Sequence, residues 1–71
     1  MAKTLPFSNK VKELRDSNNS ITQAQLGELV GVTRQTIIAI EQGRYSPSLE
    51  TAFRIAKVFK ANLEDVFYWT D

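Results

Sequence analysis

Apolar residues recur along the chain at intervals of three and four, and short polar clusters holding a capping residue or a glycine interrupt them. The spacing predicts a first helix from about Asn9 to Asn18, capped by Ser8, with Phe7, Val11 and Leu14 leading one inward stripe. Asn18-Asn19-Ser20 ends it, because these side chains compete for backbone hydrogen bonds. Thr22-Gln23-Ala24-Gln25 is a capping box in which Thr22 and Gln25 satisfy each other's free amides. The helix it opens is expected to turn Leu26, Leu29 and Val30 inward and to stop at Gly31, where a left-handed residue is cheap. Thr33 caps the next helix almost at once, from Arg34 to about Gln42, and Gly43 ends it.

The second half repeats the grammar. Pro47 keeps Ser46 extended, and Ser48 caps a helix from Leu49 to about Lys60 whose buried face reads as Leu49, Ala52, Phe53, Ala56 and Phe59. Asn62, with Asp65 placed to complete a box, opens a last short helix through about Val66. Phe67-Tyr68-Trp69 reads as extended, and residues near Thr4 to Phe7 are its candidate partner in a two-stranded ribbon. The expected fold is all-α, five short helices with that ribbon at the termini, in one domain over residues 1–71.

Composition narrows the chemistry. A hydrophobic fraction of 42% is ordinary for a folded domain and too high for a disordered segment. There is no cysteine and no histidine, which removes disulfides, thiolate metal sites and the commonest general base together. Glu64 and Asp65 are adjacent, so on a helix they diverge by roughly 100° and share a proton or a metal poorly. The three glycines stand apart at 27, 31 and 43, and none builds a phosphate-cradling loop. An enzyme is therefore disfavoured, and no cofactor, metal or small-molecule ligand is expected. The longest aliphatic run, Ile37 to Ile40, is far short of the ~20 residues that span a bilayer. With no signal-peptide pattern at the amino terminus, a soluble, cytoplasmic, nucleoid-associated protein is expected. The net charge of +1 decides nothing about a polyanionic partner. Its distribution is uneven, with Lys3, Lys10, Lys12 and Arg15 near one end and Glu64, Asp65 and Asp71 near the other.

The second and third helices carry the functional signal. A glycine turn of about three residues forces them to cross steeply, and Gly27 supplies the small residue that a close crossing needs. Leu26, Val30 and Val32 meet Ile37 and Ile40 across that crossing, a helix-turn-helix over about residues 23–42. With Ile37 facing inward, Gln35, Ile38, Ala39 and Gln42 fall on the outer half of the third helix, and Arg34 and Thr36 on its flanks. A recognition helix reads base edges with its first residues, which here are Arg34, Gln35 and Thr36, just after the cap Thr33. Arginine suits guanine and glutamine suits adenine. A solvated helix face is the competing reading for Arg34 and Gln35, and the helix-turn-helix frame turns the balance toward bases. Ile38, apolar yet outward, is either a thymine-methyl contact or a tolerated exposed aliphatic. Gln23 stands at the first turn of the second helix, where free amides and the helix dipole favour a phosphate. Arg44 follows the third helix and is a second backbone contact, ahead of Tyr45.

Three stretches then show a resemblance. Ile21-Thr22-Gln23-Ala24-Gln25-Leu26-Gly27, Gly31-Val32-Thr33-Arg34-Gln35-Thr36-Ile37 and Ile40-Glu41-Gln42-Gly43 resemble the Cro/C1-type helix-turn-helix family, also called the Xre family. The likeness continues through Tyr45-Ser46-Pro47-Ser48-Leu49, Ile55-Ala56-Lys57 and Leu63-Glu64-Asp65-Val66-Phe67. It implies a homodimeric regulator, usually a repressor, on a pseudo-palindromic double-stranded operator. It also implies that Gln23 clamps the DNA backbone, that Arg34 and Gln35 read bases, and that Gln42 touches a phosphate. Arg15 and Glu41 match a pair that forms an internal salt bridge in relatives. Two departures stand out: the loop at Asn18-Asn19-Ser20 is about one residue longer than the common pattern, and Gly27 replaces the usual alanine, at under ~1 kcal/mol of helix propensity.

The aromatics Phe67, Tyr68 and Trp69 are the expected dimer interface, since Trp and Tyr are frequent interface anchors. The rival function is an antitoxin or other protein-interaction module that binds DNA secondarily, for which the same acidic, aromatic end would be the working surface.

Overall fold

A computed structural model describes residues 5–18 and 20–70. In chain order the elements are β1 (Phe7–Asn9), α1 (Val11–Ser17), α2 (Gln23–Val30), α3 (Arg34–Glu41), α4 (Leu49–Val58), α5 (Leu63–Val66) and β2 (Phe67–Trp69). This is the all-α, five-helix architecture with a terminal two-stranded ribbon. Three of the helices start at an N-cap whose own side chain takes up an orphan amide. Thr22 accepts from the Gln25 amide while Gln25 answers the Thr22 amide, Thr33 accepts from Thr36, and Ser48 accepts from Thr51. Gly31 and Gly43 both lie in the left-handed region, at φ 82° and 72°.

The ribbon pairs antiparallel, Phe7 with Trp69, Ser8 with Tyr68 and Asn9 with Phe67. It therefore starts later than the expected partner segment; Thr4 lies outside the described residues, as do Asn19 of the first loop and the end charges Lys3 and Asp71. Pairing also moves the start of the first helix. Ser8 is spent on the strand, so α1 begins at Val11, and Asn9 rather than Ser8 receives its amide, at 3.1 Å from Asn9 Oδ1 to the Val11 nitrogen.

Leu26, Ile37, Ile40, Ile55, Val11 and Val66 are fully buried and draw on every helix. Each contributes roughly 1.5–3 kcal/mol by leaving water. Val30, Ala56 and Phe59 complete the cluster. Three expected core residues are not in it: Leu29, Leu49 and Phe53 are exposed. The reason is angular. Leu26, Gly27 and Val30 define the inward side of α2, and Leu29 lies roughly 100° from its middle. On α4 the inward side is Ala52, Ile55 and Ala56, which leaves Phe53 about as far round. Leu49 sits in the first turn of α4, beyond the cover of the core. That helix also ends at Val58 rather than Lys60, and Asn62 opens α5 without a side-chain capping bond, so no box with Asp65 forms.

Candidate nucleic-acid interface

The turn between α2 and α3 is built on one carbonyl. The amides of Gly31 and Val32 both donate to the Gly27 carbonyl, at 2.8 and 2.9 Å. The turn backbone consequently lies on Gly27: a Cβ there would stand 2.7 Å from the Val32 carbonyl oxygen and 3.2 Å from the Thr33 carbonyl carbon. No ordinary contact is that short, so at this separation of the two helices a methyl on residue 27 would push the turn backbone aside. Ile37 and Ile40 then lock α3 onto Leu26 and Val30.

With its inner face held, α3 presents the other. Thr33, Arg34, Gln35 and Gln42 are exposed, as is Arg44 just beyond the helix. Thr36, Ile38 and Ala39 are half-buried. Thr33 and Thr36 are partly engaged with each other: the Thr36 amide donates to Thr33 Oγ1 and the two hydroxyls stand 3.1 Å apart. Arg15 and Arg54 are held in ion pairs, whereas Arg34 and Arg44 enter none among the described residues. Their guanidinium groups face solvent.

Beneath this surface lies a polar network that ties three helices together. Arg15 is buried and donates from Nε to Glu41 Oε2 at 2.6 Å and from Nη2 to Oε1 at 3.1 Å. Its Nη1 reaches the Ile21 carbonyl at 3.0 Å. The hydrogen bonds to Glu41 hold the guanidinium pKa above its ordinary value, outweighing the opposite effect of burial. Gln23 joins the same carboxylate, Nε2 donating to Glu41 Oε1 at 3.0 Å. A carboxylate only accepts, so the amide nitrogen of Gln23 must face Glu41, leaving one N–H free for another acceptor. The residue expected to touch DNA at the start of α2 is thus oriented by a residue at the end of α3.

Sequence reasoning missed that link, and it missed Asn9. Asn9 Nδ2 donates to the Ile40 carbonyl at 2.9 Å, fastening β1 to the carbonyl end of α3. An asparagine two residues before a helix start was the available signal, masked by reading residue 9 as helical. At the termini, Phe67 is half-buried and meets Phe7 edge-on at 6.4 Å between ring centroids. Phe7 also meets Trp69 edge-on at 6.2 Å. Tyr68 and Trp69 stay exposed, with the Lys10 ammonium 5.8 Å over the tyrosine ring. Among the described residues no group of acidic side chains could hold a metal ion, and no helix is long and apolar enough to cross a membrane.

Comparison with known proteins agrees with this geometry. The helix-turn-helix family model matches residues 11–66. The HTH-type transcriptional regulator MJ0272 of Methanocaldococcus jannaschii is 52% identical over 65 residues, covering 92% of this chain and 97% of that protein. The HTH-type transcriptional regulator YgzD of Bacillus subtilis is 57% identical over 62 residues, covering 87% and 92%. The P22 c2 repressor, solved in complex with a synthetic operator, superposes with a TM-score of 0.68 over 80% of this chain and 89% of its own. Its sequence identity is 24%, so that likeness is one of fold.

Proposed function

The chain belongs to the Cro/C1-type helix-turn-helix family of transcriptional regulators, and from that premise we propose that it is a repressor binding a pseudo-palindromic operator as a homodimer. Helix α3 enters the major groove and reads bases with Arg34 and Gln35, as recognition helices do with their first residues. Thr33 and Thr36 stand beside them, and Ile38 meets a thymine methyl with its exposed edge. Gln23, Gln42 and Arg44 hold phosphates on either side. Phe67, Tyr68 and Trp69 lie toward the second copy. The family is one of DNA-binding regulators and not of enzymes; we assign this chain no catalytic role, cofactor or small-molecule ligand, and place it at the cytoplasmic nucleoid.

The observation that carries this reading is the exposed start of α3. Arg34 and Gln35 project from a helix whose opposite face is fully buried, whose start is capped by Thr33 and whose carbonyl end is held through Glu41 and Asn9. Holding readout groups on a rigid element is what base discrimination of roughly 1–3 kcal/mol per bidentate contact requires.

The test is fluorescence anisotropy against random duplex at two salt concentrations, followed by selection of bound sequences. Salt-sensitive binding with an enriched two-fold motif is the expected result. Binding with no enriched motif would overturn it.

A further inference from the structure

Among the described residues, an apolar strip beside α4 is left uncovered. On α4, Leu49 and Phe53 are 66% and 53% exposed, and they lie four residues apart on one side of the helix. Leu49 also walls an open groove of about 670 Å³ that runs past Pro47 and Leu63 to Trp69, which is 73% exposed. The strip therefore has two halves that meet at Leu49, a protruding Phe53 and a groove ending at Trp69. Its charges divide the same way. Arg54 and Lys57 border Phe53, while Glu64 lines the groove. Arg54 is already paired with Glu50 at 2.6 Å, whereas Lys57 enters no ion pair among the described residues.

We propose that this strip seats a second copy of the chain, each Phe53 entering the other's groove and each Lys57 facing the partner's Glu64. The inference rests on the homodimer reading above and says where the two copies meet. A two-fold axis beside Leu49 exchanges the halves of the strip, laying knob over groove and cation over anion in one operation. Such self-complementarity is the requirement of an isologous contact. An unrelated partner would need only one half; here both halves, with opposite charges, occupy one face. The area is of the right order. At roughly 150–250 Å² per aromatic side chain, Leu49, Phe53, Tyr68 and Trp69 leave about 500 Å² exposed per copy. A two-fold contact would bury about 1,000 Å² from these side chains alone, and the polar rim brings it into the range of roughly 1,200–2,000 Å² of stable interfaces.

Trp69 is the chain's single tryptophan, so its emission reports this surface directly. The experiment is sedimentation velocity of the full chain from nanomolar to high micromolar concentration, with Trp69 emission recorded on the same samples. Mass doubling accompanied by a blue shift is expected. Phe53→Ser, at an exposed position, should keep the helical circular dichroism and melting temperature while abolishing both changes. Lys57→Glu and Glu64→Lys should each weaken the dimer about tenfold, and the double variant should return to within about threefold of the parent. A dimer that forms with unchanged Trp69 emission and ignores Phe53→Ser overturns the inference and leaves the function intact. A chain that stays monomeric both free and on its selected DNA site overturns the homodimer reading itself.

Discussion

Arg34 and Glu41 lie on one helix and do opposite kinds of work, one facing solvent and one sealed beneath it. Arg34→Glu places a carboxylate where the proposal puts a guanine and a phosphate-rich surface. We expect specific binding to fall at least ~100-fold, from a lost bidentate contact plus new repulsion, with the melting temperature unchanged. Anisotropy and thermal melting of the same sample check both halves; a lost fold, or retained binding, would remove Arg34 from the interface. Glu41→Ala acts from inside. It leaves Arg15 buried without a counter-charge, a change that costs roughly 3–5 kcal/mol in such pairs, and it frees the Gln23 amide. Glu41→Gln keeps an acceptor for Arg15 and should cost less than half as much by chemical denaturation. Because the Arg15 pKa is raised, its side of this stabilisation is complete below the ordinary arginine value and lost only as pH climbs through the raised one. The arginine therefore adds no pH dependence across the neutral range. The salt bridge was legible only as a resemblance; no spacing rule joins residues 15 and 41. The tie from Gln23 was not legible at all, since it depends on how three helices meet.

Helix ends show where local rules suffice and where they stop. Thr22, Thr33, Ser48, Gly31 and Gly43 each act as their residue type dictates, which is why α2 and α3 were readable nearly to the residue. Pairing with a distant strand displaced the start of α1, and that no local signal could announce. Leu29, Leu49 and Phe53 were misplaced because hydrophobicity marks a candidate for burial, while only packing decides which side of a helix is covered. The end of α4 contains an opportunity. Lys60 lies left-handed at φ 54°, with its amide donating to Lys57 and that of Ala61 to Ala56, the arrangement Gly43 adopts after α3. Lys60→Gly should stabilise the protein by about 1 kcal/mol. For a chain this size that is roughly 4–8 °C in Tm, and no gain on melting would mean the left-handed lysine is unstrained. Gly27→Ala sets two element-level effects against each other. Helix propensity favours alanine by about 1 kcal/mol, but the methyl meets turn backbone, and forcing a packed site apart costs roughly 1–3 kcal/mol. Denaturation should show a net loss; a gain would mean that the turn yields easily and that glycine in place of the usual alanine has no packing reason.

Assembly and DNA geometry belong to the whole molecule, and here composition was least informative. A net charge of +1 supplies little general attraction to a polyanion, so affinity must come from placed contacts. Of the proposed phosphate contacts, Gln23 and Gln42 are neutral and release no counterions; Arg44 is the cation. Arg44→Gln should therefore weaken binding to all sequences alike and flatten the plot of log affinity against log salt by about one unit per half-site. A dimer adds a constraint that no single residue carries. If two copies join so that both α3 helices enter the major groove on one side of the duplex, those helices should lie about 34–36 Å apart. The selected operator should then have half-sites one helical turn apart, centre to centre. Inserting five base pairs between them moves the second half-site to the opposite side of the DNA. Neither copy can reach it without breaking the dimer, so the expected outcome in anisotropy is a loss of at least ~100-fold, to the level of an isolated half-site. Ten inserted base pairs restore the side but not the distance, and affinity should stay low. Equal affinity for all three spacings would mean two monomers reading independently, and the recognition helix would stand without the symmetry proposed for it.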